Sequence, residues 1–367
     1  MRQKLIQTDS KKIKLFLESI KSEETRRVYI AYLKKWFDYL DKKNITLQLH
    51  SNPNKIEQKI IDFVISMKEQ SKSFSAIHNY VSAVIKFYTI NDVLLNSGKI
   101  YRFMPDKKKS NRDRAYTHEE IHKLLDIADE RMRTVILLLS STGMRIGAIP
   151  DLRLRSLEKV GFDNLYKITI YEGFNEEYVT YCIPECTTAI DNYLKMRERY
   201  GERLTGDSFL IREQFDIRDP FAISKCHKTV SNTLANKIID LAIRSGVRKK
   251  EVLEQDKKHL GGRLRKDVAI CHGFRKFFTT QLIEADLKTE LRWLLEGHNL
   301  KANDASYVKT PEKRLQQEYE KAINDLTINE EFRLKKKIGV LQVEKTQLEA
   351  IAKDVQILKR KYNILKK

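Results

Sequence analysis

At 367 residues the chain exceeds one ordinary domain and fits two or three. Its hydrophobic fraction of 41% and charged fraction of 33% imply a sizeable core under a heavily charged surface. With 13 Gly and 6 Pro it is too poor in turn formers for a loop-rich or β-sandwich build, so long helices are expected. The formal net charge of +20, spread along the chain, calls for a polyanionic partner, with nucleic acid ahead of a membrane surface. No apolar run approaches a membrane span, and the opening MRQKLIQTDSKK lacks the apolar stretch of a signal peptide, so a cytoplasmic protein is expected.

Residues 10–41 carry a helical pattern, with Val28, Ala31, Tyr32, Leu33, Trp36, Phe37 and Leu40 recurring near helical spacing after a partial capping signal at Ser22. Arg26 and Arg27 lie on the basic remainder of that segment. Asn52-Pro53-Asn54 breaks the chain, and further helices are expected over about 55–70 and 73–88. Residues 1–105 thus form an all-helical domain. A polar, basic stretch containing Lys107, Lys108 and Lys109 follows, and residues 106–115 read as a solvated linker, with a DNA-backbone contact as the second reading.

A second domain, residues 116–329, opens on a Thr117/Glu120 capping box. Helices are expected at about 117–128 and 130–141, then a turn at Thr142-Gly143-Met144-Arg145. Residues 165–183 change period and read as a strand, a turn around Glu172–Asn175 and a second strand. Helices at about 185–200 and 225–245 come next. Arg248 to Asp267 reads as an exposed basic excursion, with Lys249, Lys250, Arg263 and Arg265 as candidate DNA contacts. Cys182, Cys186, Cys226 and Cys271 match no zinc pattern and read as reduced, structural thiols. Within residues 330–367, Leu334, Leu341, Leu348, Val355 and Tyr362 recur every seven residues, which predicts a C-terminal coiled-coil helix. Its partner is either another chain or, in the blander reading, the protein itself.

The chemistry concentrates between Cys271 and Lys309. On a helix, His272, Arg275 and Thr279 share one face, and Phe274, Phe277, Phe278 and Leu282 the other. Arg offers two parallel donors to phosphate oxygens, and His a donor that titrates near neutrality. Leu287, Leu291, Leu294 and Leu295 form a stripe that ends at Gly297, a C-terminal cap that fixes His298 at a helix exit. Tyr307 follows nine residues on. A phenol attacks only if its phenolate is stabilised, which two arginines and two histidines around one phosphate would do. No carboxylate cluster suited to a metal stands beside these residues, and neither metal nor other cofactor is expected.

Thr142-Gly-Met-Arg145-Ile, His272-x-x-Arg275, Gly297-His298 and Tyr307, in this order, resemble the tyrosine recombinases, the phage-integrase family, of the archaeal or mobile-element type. The resemblance spans roughly residues 10–325. It implies a SAM-like helical core-binding domain ahead of a mixed α+β catalytic domain with a small hairpin. Arg145 and Arg275 would clamp the scissile phosphate, His272 would assist proton transfer, His298 would hydrogen-bond the phosphate, and Tyr307 would attack it. The product would be a 3′-phosphotyrosyl enzyme and a free 5′-hydroxyl, made without ATP or metal. Double-stranded DNA is the implied partner, with four protomers on two sites.

Two positions depart from the family pattern. Glu172 stands nearest the place of the hairpin lysine that protonates the leaving oxygen, and Lys167 is the only hairpin lysine, with a lysine of the 249–266 excursion as substitute. Ala148 stands where an acidic residue often follows the first arginine, with Asp151 nearby. The leading expectation is site-specific strand exchange by a mobile-element integrase. The alternatives are a type IB topoisomerase-like or hairpin-forming strand transferase, and a non-catalytic DNA-binding protein of the same fold.

Overall fold

The helical pattern of residues 10–41 is two helices in the computed structural model, α1 (Ser10–Glu18) and α2 (Glu23–Lys42). The break buries Ile20, and Ser22 caps α2 by accepting from the Thr25 N–H at 3.4 Å. The structure describes residues 10–43, 52–107, 114–161, 164–216, 218–224, 226–248, 268–298 and 311–365. They fall into two units, separated in sequence by residues 108–113.

The first unit adds α3 (Pro53–Glu69), α4 (Phe74–Ile90) and the short α5 (Ser97–Tyr101). Its core is aromatic. Phe87 lies edge-on to both Phe16 and Phe37, at 5.6 and 5.8 Å between centroids, and Trp36 does the same to Phe63 at 5.2 Å. Such pairs add roughly 0.5–1.5 kcal/mol each beyond their burial. One charge enters this core: buried Glu57 on α3 accepts from the Asn96 N–H at 2.8 Å and from Lys99 Nζ at 3.0 Å, fixing α5 against α3.

In the second unit the Thr117/Glu120 capping box forms as read and starts α6 (His118–Asp126). The next helix, α7 (Glu130–Thr142), is buried along almost its whole length and organises the core around it. Two 3₁₀ turns follow, Ile146–Asp151 and Leu154–Ser156. Then comes an antiparallel sheet in the order β1 (Leu157–Val160), β2 (Leu165–Ile170), β3 (Tyr178–Cys182). The hairpin is the expected β2–β3 pair, with Tyr166 opposite Cys182 and Ile170 opposite Tyr178. The extra edge strand β1 carries no alternation, because Glu158 and Lys159 are both exposed between half-buried Leu157 and Val160.

Helices α8 (Pro184–Arg199), α9 (Pro220–Ser224) and α10 (Ser231–Arg244) come next; the last starts later than the expected 225. The chain resumes with α11 (His272–Glu284), α12 (Thr289–Leu295), α13 (Glu312–Lys321), α14 (Ile323–Leu326) and α15 (Glu330–Leu365). Loop 200–230 is tied to α8 by a buried ion cluster. Arg197 meets Glu202 through two bonds of 2.9 and 2.5 Å, and Arg212 reaches the same carboxylate at 2.8 Å. All four cysteines are free thiols, and Cys182 and Cys186 are buried.

Along α15, Leu334, Leu341, Leu348, Ile351, Val355 and Leu358 are exposed, so the heptad stripe has no cover within the described chain. Among the described residues no helix is long and apolar enough to cross a membrane.

The Asn96 N–H first and Lys99 after it hold the Glu57 carboxyl below its usual range, against the opposing effect of burial. Its contribution to stability is therefore present above the ordinary carboxylate pKa and is lost as pH falls through the lowered one. Glu57→Gln should destabilise the first unit by about 1–3 kcal/mol at pH 7 and flatten its acid dependence, read from urea melts followed by Trp36 fluorescence in a Trp293→Phe background.

Candidate active site

Helix α7 ends at Gly143, in the left-handed conformation with φ +61°. A Cβ there would lie 2.3 Å from the Phe278 ring of α11, so only glycine lets the two helices approach this closely. The turn is locked twice. Met144 N–H donates to Thr142 Oγ1 at 3.2 Å, and Tyr319 donates its phenol proton to the Ser141 carbonyl at 2.8 Å. Arg145 leaves this turn exposed.

One turn along α11 from His272, Arg275 is buried, at 6% exposure. The sequence placed it on the face opposite the phenylalanines, yet both faces are covered. Its guanidinium donates from Nη1 to the Gly143 carbonyl at 2.8 Å and from Nη2 to the Glu296 carbonyl at 2.6 Å. The same Nη2 lies 3.2 Å from His298 Nε2. Burial first, and the Arg145 charge second, hold the Arg275 pKa below its ordinary value, while Glu296 pulls it back.

His298 is set by the end of α12. Gly297 has φ +64°, and a Cβ on it would lie 2.4 Å from the Tyr178 ring of β3, so the α12 exit is clasped against the sheet. Burial pushes the Tyr178 phenol up to about 12, opposed by the charges of Arg275 and Arg145. The His298 Nδ1 lies 3.1 Å from Glu296 Oε2. Burial, Arg275, Arg145 and Arg292 all lower the His298 pKa, and Glu296 alone raises it.

Arg145 and His298 line one cleft of about 810 Å³, together with Arg153, Arg155, Ser156 and Glu172. Ser156 Oγ donates to Glu172 Oε2 at 2.9 Å, and Arg153 lies 4.1 Å over the Phe209 ring. A wall carrying exposed Arg145 and His298, with the buried Arg275 charge behind His298, can receive an anion.

The other expected site residues are placed differently. His272 opens α11 and is exposed, and it does not line the cleft. Lys167 sits on β2 between Glu312 at 2.7 Å and Glu158 at 3.0 Å, also off the cleft lining; these partners raise its pKa, Glu312 first. Asp151 lines the cleft but pairs with Lys228. Arg26 is half-buried and donates to the Ile20 carbonyl at 2.7 Å, so it holds the α1–α2 corner. Arg27 is exposed and pairs with Glu24 at 3.0 Å, and Lys107 is exposed. Tyr307, Lys108, Lys109, Lys249, Lys250, Arg263 and Arg265 lie outside the described residues. Among the described residues, no group of His, Cys, Asp and Glu is arranged to hold a metal ion.

Sequence reasoning missed Glu296, Tyr178, Arg153 and Arg155. Only Glu296 left a signal, as an acid interrupting the apolar end of α12 directly before Gly297-His298.

No family model matches the chain, and no curated protein does either. Solved structures do. A XerH site-specific recombinase bound to its difH substrate in a pre-cleavage complex is similar with a TM-score of 0.51 at 16% identity, over 80% of this chain and 78% of that one. A lambda integrase tetramer bound to a Holliday junction gives 0.51 at 12%, over 81% and 75%. The Tn1549 transposon integrase in complex with transposon right end DNA gives 0.51 at 14%, over 83% and 97%. At such identities the likeness is one of fold: this chain shares with that recombinase and those integrases a mainly helical fold, here with a small three-stranded sheet.

The Gly297 packing yields a direct test. Gly297→Ala should destabilise the protein by more than about 1 kcal/mol in thermal melts. Gly147→Ala, where a Cβ meets nothing within 4 Å, should stay within about 0.5 kcal/mol.

Proposed function

We propose that this protein is a site-specific DNA recombinase of the integrase type, which cleaves and rejoins strands through a 3′-phosphotyrosyl intermediate. The observation that carries this reading is the convergence of Arg145, Arg275 and His298 beside one cleft, on a fold shared with recombinases.

In this reading the scissile phosphate sits against exposed Arg145 and His298. Arg275 lies behind them, held by two backbone carbonyls. The Tyr307 oxygen attacks phosphorus, the bond to the 5′ oxygen breaks, the phenol gives up its proton with help from His272, and the 5′ oxygen takes one. A 5′-hydroxyl from the same or a partner strand reverses the step, so bond energy stays in the covalent link and neither ATP nor metal enters. Lys167 is held by Glu158 and Glu312 off the cleft lining, which favours a lysine of residues 249–266 for the leaving oxygen.

Residues 1–105 would grip double-stranded DNA, with Arg27 exposed for phosphate contacts; exposed Lys107 of the linker, with Lys108, Lys109, Lys249, Lys250, Arg263 and Arg265, would add to them. Residues 106–115 would link this unit to the catalytic domain, residues 116–329. The working assembly would be a tetramer on two DNA sites, with the bare apolar stripe of α15 as a coiled coil with a second copy or another protein.

One observation favours a second reading, a non-catalytic DNA-binding protein of this fold. Glu172 lines the cleft near the place where a lysine would stand. The same experiment separates the readings. Incubated with a nicked DNA site without metal, the protein should form an SDS-resistant adduct that Tyr307→Phe abolishes and that Arg145→Ala or Arg275→Ala slows by at least about 100-fold. An adduct surviving Tyr307→Phe removes the nucleophile assignment, and no adduct on any site favours the binding reading. Products with exchanged flanks separate recombination from relaxation.

DNA affinity should fall steeply with salt, log K dropping by about 0.9 per phosphate contact for each decade. Deleting residues 331–367 should lower the oligomeric state in sedimentation.

A further inference from the structure

Among the described residues, no acid pairs with Arg145 at its turn. Ala148 is buried three residues on, and Asp151 is paired with Lys228. A carboxylate nevertheless stands behind the site, contributed by a different element. We propose that Glu296 is the positioning residue of the phosphate site, holding Arg275 and His298 in register and supporting the protonated form of His298. The identity of the ligand as a DNA phosphate rests on the recombinase reading; the placement of Glu296 does not.

The Glu296 side chain is 4% exposed and has one hydrogen-bond donor and two further nitrogen-bearing side chains close to its carboxylate. Thr279 donates to Oε1 at 2.7 Å, His298 Nδ1 lies 3.1 Å from Oε2, and Arg275 Nη2 lies 3.9 Å from Oε2. Its own carbonyl takes the 2.6 Å bond from the same Nη2. One residue therefore meets Arg275 through backbone and side chain while holding the ring that follows it two positions on. Thr279 lies one turn after Arg275 on α11, so its hydroxyl ties the carboxylate to the helix that carries the arginine.

The Glu296 carboxylate 3.1 Å from Nδ1 favours the tautomer with its proton there. With the proton on Nδ1, the neutral ring presents its Nε2 lone pair to the Arg275 N–H at 3.2 Å. To donate to a phosphate oxygen, Nε2 must gain a proton, and the ring becomes a cation. The charges that face it are arginines on three elements: Arg275 of α11, Arg145 of the turn after α7, and Arg292 of α12. Tyr178 of β3 closes the α12 exit as a neutral phenol, and Asp151, Arg153, Arg155, Glu172 and Glu176 line the cleft in front. Glu296 is the carboxylate in contact with the ring, so it is the group that opposes these cations and favours the imidazolium.

The test uses the full chain with Glu296→Gln, which keeps the shape and the Thr279 contact, and Glu296→Asp as the conservative variant. His298 is titrated by NMR of its imidazole without DNA, its signal identified by loss in His298→Gln. Glu296→Gln should lower the His298 pKa by about one unit and remove the preference for the Nδ1-protonated tautomer, with Glu296→Asp between it and the unsubstituted protein. An unchanged pKa and tautomer in both variants would overturn the proposal. If Glu296→Gln fails to fold, Glu296→Asp alone decides by the same readout.

With nicked DNA, single-turnover adduct formation by Glu296→Gln should fall by about tenfold at pH 8, with DNA affinity unchanged. The deficit should shrink as pH falls and the imidazolium forms without help. A loss equal at every pH would mark Glu296 as merely structural and overturn its role on His298. If the unsubstituted protein forms no adduct at all, the recombinase reading fails, and the NMR arm still decides the placement of Glu296.

Discussion

A buried guanidinium is costly unless every direction around it is satisfied, and Arg275 is the buried cation on which the site depends. Its donors reach the Gly143 carbonyl, 132 residues away in sequence, and the Glu296 carbonyl, 21 residues away. Both acceptors are backbone atoms at helix ends, where carbonyls lack partners inside the helix. The arginine therefore completes the C-termini of α7 and α12 while being held by them. The turn that presents Arg145 and the exit that presents His298 are joined through one side chain. That is why two glycines stand at those ends: left-handed φ turns the chain there, and ring contacts with Phe278 and Tyr178 leave no room for a Cβ.

The electrostatics follow from that arrangement. Three arginines surround His298 and one carboxylate opposes them. An anion entering the cleft meets exposed Arg145 and a half-exposed imidazole, with Arg275 preset behind. Arg275 and His298 need little reorganisation when charge arrives, because backbone carbonyls and Glu296 hold them. The same chain buries other cations for a different purpose. Arg197 and Arg212 share Glu202 and bind loop carbonyls, which keeps the segment after α8 against the core. Net positive charge thus does not by itself mark a ligand surface here, and Arg26, turned to the Ile20 carbonyl, is a case in point.

Much of this could be read from the residues. The helices of both units, the β2–β3 hairpin and the Thr117/Glu120 cap were legible because periodicity and capping are local. The order of Arg145, His272, Arg275, Gly297 and His298 was legible as a resemblance. The burial of Arg275 was not, since helical spacing cannot say what covers the face opposite the phenylalanines. Nor was the partner of Glu296, which depends on α12 and α11 meeting. Strand β1 escaped because four residues with two adjacent charges show no alternation. Lys167 was named as the hairpin's only lysine, yet its neighbours Glu158 and Glu312 come from an edge strand and a distant helix that spacing does not bring to it.

In the recombinase reading, everything depends on which atom would attack the phosphate. Tyr178 also stands beside Arg275, with its phenol held up by burial, so adduct formation alone would not distinguish the two tyrosines. Mass spectrometry of the proteolysed adduct from a nicked DNA site tests this most directly. The account predicts a nucleotide joined through its 3′-phosphate to the peptide containing Tyr307. A nucleotide on Tyr178 or any other residue, or one joined through a 5′-phosphate, would contradict it.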